Sequence, residues 1–403
     1  MKILTFFNFT MQIQKITTIW DVNMFLEKLF KQALKNKVSD IHFEPQEDKF
    51  FIKFRINGDL LTFYEWKIYD YEQLVVKIKI LSNLKIDEKR LPQWGQFSFE
   101  NTDFRVATIA TAYWEKIVIR ILEKDMDLLN IKKLWYSSHH LNLVQKALKK
   151  TYWLIAIWWP TWSWKTTTLY AMLEQFKWKN LAVYTLEDPI EYKIPWITQI
   201  QVKPEIWFTY YEWLKQLLRL DPDVILVWEI REAKVAKLAI EASMTWHLVL
   251  TTIHANNTQW IVQRFLEFGI DKFVLANSLI LLMWQRLVKK LCECKNCKKK
   301  DDIEKNYYEP FLWDINKKIE EKEFNICYPI GCEKCFNTWY NGRLPITEVV
   351  LIDELFQNII LDNKLSLWKK AMNKKWYLTL FQDGLIKVKL WLTSLEQVLP
   401  YKD

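Results

Sequence analysis

The chain has 403 residues, more than one typical domain holds, so two or three folded units are expected. Half of the residues are hydrophobic, enough for real cores, yet no apolar run approaches the ~20 residues of a membrane-spanning helix. The formal net charge of +9 comes from lysines spread along the chain and concentrated only at 289–300, which describes a solvated surface rather than a nucleic-acid footprint.

Residues 1–9 are apolar but lack the basic start and small-residue cleavage site of a signal peptide, so 1–21 is expected to be an N-terminal extension and the protein cytoplasmic. From Val22 the apolar residues recur at helical spacing (Phe25, Leu26, Leu29, Phe30, Ala33), which predicts a helix over 22–34 with one buried face. The period then changes. Residues 38–45 and 50–56 read as strands, and Asn57-Gly58 is a strong two-residue hairpin turn. A second helix is predicted over 71–84, and alternating strands follow through Phe104-Arg105-Val106 and 116–122. Residues 22–123 thus form a small α/β domain, with an acidic stretch opening a linker over 124–134.

Residues 135–403 alternate short apolar strands with helices, the pattern of a parallel sheet, so the fold class is α/β. The strand 154–157 runs into Trp159-Pro160-Thr161-Trp162-Ser163-Trp164-Lys165-Thr166, and an amphipathic helix begins at Thr167. This has the form of a phosphate-binding loop, G-x-x-x-x-G-K-[ST]: backbone N–H groups wrap phosphates, the lysine neutralises β/γ oxygens and the hydroxyl ligates Mg²⁺. Tryptophan, however, stands at both glycine positions, 159 and 164. The composition explains why. The chain has 23 Trp and 6 Gly, whereas average usage gives roughly 28 glycines in a chain of this length. Tryptophan also recurs where the backbone favours positive φ, as at Trp246 and Trp339. The reading is that most of these tryptophans are glycines in the living protein, its gene using UGA for glycine and having been translated with UGA as tryptophan.

Further on, the strand 181–186 ends in Glu187-Asp188-Pro189-Ile190-Glu191, and the strand 224–227 runs into Trp228-Glu229-Ile230-Arg231. Carboxylates at the ends of parallel strands stand where this class of sheet binds ligands, and the second has the form of a metal-holding or water-polarising acid. A helix over 233–244 and a strand from Thr245 through His247 to His254 follow.

Four segments in order resemble the secretion ATPases that power type II secretion and type IV pilus assembly: 159–166, 185–192, 219–231 and 245–254, as that family's Walker A, aspartate, Walker B and histidine boxes. Ser39-Asp40-Ile41-His42, the strand 116–122, residues 340–349 and residues 380–385 resemble the family too, whereas Gly95-Gln96 stands where the family has Gly-Arg. The resemblance implies a RecA-like ATPase domain. ATP and Mg²⁺ would be held at 159–166 and Thr167, with Lys165 and Thr166 on phosphate and metal, Glu191 activating water and Glu229 near the metal. It also implies charge-offsetting arginines, here Arg105 and Arg120, and a role for His247 and His254 in coupling nucleotide to subunit motion. A homohexamer docked on an inner-membrane platform protein, without nucleic acid, is the implied assembly. Retraction, DNA uptake and, if the tryptophans are real, a non-hydrolysing scaffold are the alternatives.

Cys294-x-x-Cys297 and Cys332-x-x-Cys335 pair up as a four-sulfur tetrahedral Zn²⁺ site, in a Cys-rich insert over 290–345 like that of the assembly ATPases. Cys292 could take the place of Cys294, and Cys327 is spare. The helical C-terminal tail completes the domain.

Overall fold

The computed structural model describes residues 19–122, 129–134, 136–158, 165–191, 193–202, 209–294, 296–298, 326–328 and 331–402, with backbone alone at 19–21, 165, 296–298 and 326–328. The chain divides into two units, Met1–Lys124 and Asp125–Asp403.

The small unit runs α1 (Ile19–Lys35), β1 (Asp40–Pro45), β2 (Lys49–Ile56), β3 (Asp59–Lys67), α2 (Tyr71–Leu81), β4 (Gln93–Phe99), β5 (Thr102–Ala110) and β6 (Glu115–Leu122). Its six strands form one antiparallel sheet in the order β3-β2-β1-β6-β5-β4. Every apolar position of the predicted stripe on α1 is buried, and Phe30 lies 5.3 Å from Phe104 on the sheet. Alternation does the rest: Ile41, Phe43, Phe50, Ile52, Phe54, Ile117 and Ile119 point to the helices, and the next residues along point away. The far side of the sheet therefore carries the charge, with Asp40, Glu44, Lys53, Arg55, Lys116 and Arg120 linked by ion pairs. Asn57 and Gly58 take φ of 52° and 95°, the double positive-φ turn that joins β2 to β3.

In the large unit the order is α3 (Ser138–Ala147), β7 (Trp153–Trp158), α4 (Lys165–Leu173), β8 (Val183–Glu187), β9 (Thr198–Gln201), α5 (Tyr210–Leu217), β10 (Val224–Ile230), α6 (Ala233–Met244), β11 (Leu248–Ile253), α7 (Thr258–Glu267), α8 (Lys272–Ser278) and β12 (Leu279–Leu291). Then come β13 (Asn296–Lys298), β14 (Ile326–Tyr328), β15 (Tyr340–Leu351), α9 (Glu354–Leu361), α10 (Trp368–Lys374), α11 (Leu380–Lys389) and α12 (Leu395–Val398). Seven strands make the main sheet, β15-β12-β7-β11-β10-β8-β9. All its pairs are parallel except β12 with β15, an antiparallel edge between whose strands the Cys-rich segment is inserted. β7, β10 and β11 are buried on both faces, which is why they read as unbroken apolar runs.

Several boundaries differ from expectation: α2 ends at Leu81 instead of 84, β11 spans only Leu248–Ile253, and three further differences fall in the large unit. Residues 129–134, assigned to the linker, belong to the large unit's core, with Leu129, Ile131 and Leu134 buried. α4 starts two residues early and gives way to a 3₁₀ turn at Glu174. β10 extends to Ile230, so Glu229 lies within the strand rather than after it.

Among the described residues five tryptophans, at 153, 246, 339, 376 and 391, have positive φ, from 60° to 116°, the left-handed half of the map that costs a bulky L-residue most. Trp246 and Trp339 were both expected there. Trp178 and Trp246 are among the most exposed side chains of the described residues, at 86% and 77%.

Candidate functional site

Because β7, β8, β10 and β11 are parallel, whatever follows each of them emerges at one edge of the sheet. β7 ends at Trp158, and α4 begins at Lys165 with Thr166 and Thr167 in its first turn. A buried strand is thus followed by a six-residue connection and a helix whose N-terminus faces the same edge, the local arrangement that presents N–H groups and a positive dipole to an anion. Trp159, Pro160, Thr161, Trp162, Ser163 and Trp164 lie outside the described residues. At the end of β7 the Trp158 indole N–H is buried with no acceptor among the described residues, while the Arg286 guanidinium lies 4.5 Å over its ring. An unmade hydrogen bond of that kind costs about 1–3 kcal/mol.

The acids arrive from the neighbouring strands. Glu229 is 7% exposed, at a register shift between β10 and β11. Its carboxylate accepts from Arg231 Nη2 at 2.6 Å and Nε at 2.9 Å and contacts His254 Nε2, the first residue beyond β11. That carboxylate in turn raises the Arg231 guanidinium above its usual value. Thr252 and Thr251 hydroxyls bond to the carbonyls of Trp228 and Val227, at 2.5 Å and 3.0 Å, and brace the two strand ends together.

Glu191 follows β8 in the connection to β9 and is half-buried. Glu187, the last residue of β8, is fully buried and accepts from Tyr170 of α4, Thr185 and Gln199. Burial holds its carboxyl above the usual range, and the charge of Glu191 adds to the effect. Tyr210 at the start of α5 is raised as well, first by burial and then by Asp188, with Glu229 and Glu187 adding to it. Arg231, Tyr210, Tyr170 and Gln199 carried no assignment in the sequence; the polar residues interrupting the apolar run of β8 were the available signal.

His254 joins this edge, but His247 does not. It precedes β11 at the opposite end, where its Nδ1 lies 2.9 Å from the Ala242 carbonyl at the end of α6. Six strand residues at roughly 3.3 Å each separate the two histidines. Arg105 and Arg120 sit side by side on β5 and β6 of the small unit. With Trp94, Gly95, Gln96, Ala107 and Val118 they line a groove of about 580 Å³, and Arg120 Nε lies 3.2 Å from the buried Asp40 carboxylate.

The thiols of Cys292, Cys294, Cys332 and Cys335 converge within 4.8 Å of one another. Sulfur separations are 3.8 Å for 292–332, 3.9 Å for 294–335 and 3.7 Å for 332–335. A tetrahedron with Zn–S bonds of about 2.3 Å has edges of about 3.8 Å, so the donor set fits zinc in number, type and spacing. The backbone N–H of Cys335 draws the Cys332 thiol down to about 7, whereas burial pushes the Cys294 thiol up to about 12 and also raises Cys335. Both Cys292 and Cys294 are present, instead of one standing in for the other. The Cys297 side chain lies outside the described residues, and its backbone pairs with Cys327 across β13 and β14.

Among solved structures the chain is similar to the Legionella pneumophila ATPase DotB (TM-score 0.67, 17% identity, covering 94% of this chain and 95% of that one). It is also similar to the pilus retraction motor PilT with bound ADP (TM-score 0.63, 21% identity, 94% and 96%). These likenesses establish the RecA-like fold. In sequence it is 34% identical over 378 residues to type II secretion system protein E of Aeromonas hydrophila, covering 93% of this chain and 74% of that one. It is 35% identical over 382 residues, with the same coverage, to type II secretion system ATPase E of Vibrio cholerae. The type IV pilus assembly ATPase PilB of Pseudomonas aeruginosa is 34% identical over 381 residues, 93% of this chain and 66% of that one. The sequence pattern of the family described as "Type II/IV secretion system protein" matches residues 19–400, and to that family the chain belongs.

Proposed function

We propose that this chain hydrolyses ATP as the motor of a type II secretion or type IV pilus assembly machine, working as a homohexamer against a platform protein on the inner membrane's cytoplasmic face. The observation that carries the reading is the convergence at one sheet edge of the Lys165 helix, Glu191 and Glu229. ATP would lie across residues 159–167, its phosphates on the α4 N-terminus and the Lys165 ammonium. Mg²⁺, which offsets phosphate charge when bound, would be held by Thr166 with Glu229 close by. Glu191 would orient and deprotonate the attacking water, and His254, in contact with Glu229, would report the state of that carboxylate to β11. Arg105 and Arg120, on the helix-free face of the small unit, would supply the cations that phosphoryl transfer requires. A zinc ion would hold Cys292, Cys294, Cys332 and Cys335, a structural role since four thiolates leave no open position. Among the described residues no helix is long and apolar enough to cross a membrane.

The reading includes glycine at 158, 159, 162 and 164 in the native protein. Positive φ at five tryptophans, the orphaned Trp158 N–H and the paired counts of Trp and Gly support it. With glycine restored at these positions, Glu191→Gln is expected to keep nucleotide binding and to lower turnover by about 10²–10⁴-fold. Loss in Glu229→Gln alone would exchange the roles of the two acids, and turnover unchanged in both would remove the hydrolytic reading.

A further inference from the structure

A second set of contacts lies behind the catalytic edge, centred on Glu187. Its carboxylate is fully buried, and burying a charge costs several kcal/mol unless hydrogen bonds replace the lost water. Three neutral donors do so. Thr185 Oγ1 lies 2.6 Å from Oε1, Gln199 Nε2 lies 3.0 Å from the same oxygen, and the Tyr170 hydroxyl donates to Oε2. Each donor belongs to a different stretch: Tyr170 to the helix that starts at Lys165, Thr185 to β8 itself, Gln199 to β9.

Gln199 has a second duty. Its Oε1 accepts the backbone N–H of Ile194 at 2.7 Å, and Ile194 stands three residues after Glu191 in the connection between β8 and β9. Gln199 Nε2 also reaches the Tyr170 hydroxyl at 3.2 Å, closing a ring among Tyr170, Glu187 and Gln199. Farther along the same connection, Trp196 Nε1 lies 3.2 Å from Glu174 just past the end of α4. The segment bearing Glu191 is therefore tied to the phosphate-facing helix at two places, one of them a buried carboxylate that can act only as an acceptor when ionised.

We propose that Glu187 is a positioning residue, which through Tyr170 and Gln199 fixes the Glu191 connection relative to α4 and so relative to the γ-phosphate. The inference rests on the ATPase reading for its functional half. Geometry of this kind is worth much: misplacing a reacting group by about 1 Å can cost on the order of 10²-fold in rate.

The test uses the full chain with glycine restored at 158, 159, 162 and 164, and two readouts. In Glu187→Gln the amide turns an NH₂ toward donors that need an acceptor. Hydrogen exchange at the Ile194 amide is expected to accelerate while β7, β10 and β11 keep their protection. The kcat for ATP is expected to fall by about 10- to 100-fold with KM changed less than about twofold. The exchange Glu187→Gln with Gln199→Glu puts donor and acceptor back in one pair, and is expected to recover most of the lost kcat and the slow exchange at Ile194. Unchanged exchange at Ile194 in Glu187→Gln would overturn the tie whatever the turnover. Equal losses in kcat and nucleotide affinity that the double exchange leaves unrepaired would overturn positioning in favour of a scaffold role. A parent protein that neither binds nor hydrolyses ATP would instead overturn the reading on which the functional half rests.

Discussion

In the protein with glycine restored at 158, 159, 162 and 164, Lys165→Ala is expected to abolish ATP turnover. Lys165 opens α4 at the exit of the connection from β7, and in the proposed site its ammonium would act on the same anion as the helix N-terminus. Two effects would then be lost together: charge neutralisation on the β/γ oxygens, and its growth as charge moves toward the leaving group. Removing one such electrostatic contact from a transition state costs about 10²–10³-fold, and loss of ground-state binding adds to that. Alanine is the best helix former, so α4 itself is retained and the loss cannot be assigned to an unravelled first turn. A steady-state assay with circular dichroism of both proteins decides the matter. Equal rates would remove the phosphate-loop assignment.

The second large effect is in the Cys-rich insert. Protein purified without chelators is expected to carry one zinc per chain by elemental analysis. Cys292→Ser or Cys332→Ser should empty the site, while Cys297→Ser keeps it. Free energies of about 10–16 kcal/mol accompany zinc binding by small four-ligand modules, and in the proposed site that energy would hold together the four thiols, which lie between β12 and β15. Loss of metal should lower the thermal midpoint and expose the insert to protease while the parallel strands stay folded. Zinc-free protein, or zinc retained by Cys292→Ser, would contradict the four-thiol set.

Much of the large unit was legible because fully buried parallel strands are unbroken apolar runs, and three of them carry a carboxylate or histidine at or just past their ends. The hairpin at Asn57-Gly58 was legible because positive φ at two successive residues admits few sequences. β9 was not, since Thr198–Gln201 alternates without a strong apolar face. α3 was passed over for a different reason: its apolar positions, Leu143, Val144 and Ala147, are few, and one buried position is His140. That histidine lies 2.9 Å from Thr347 Oγ1 and near Asp383, and burial lowers it to about 4, so it stays neutral at pH 7. Such a partner, more than two hundred residues away, leaves no local trace. The zinc set was half visible. Cys-x-x-Cys spacing drew attention to Cys294 and Cys297, whereas among the described residues Cys292, just past the end of β12, joins Cys294, Cys332 and Cys335, and the Cys297 side chain lies outside them.

What stands at residues 159–164, between β7 and α4, decides whether this chain can bind a nucleotide. Native protein isolated from its own organism, digested and sequenced by mass spectrometry across residues 153–165, is expected to give glycine masses at 158, 159, 162 and 164. That result leaves the phosphate nest open and the buried end of β7 without an orphaned indole. Tryptophan masses at those positions would contradict it, because rings at 159 and 164 fill the space that phosphates need, and the chain would then be a scaffold that hydrolyses nothing.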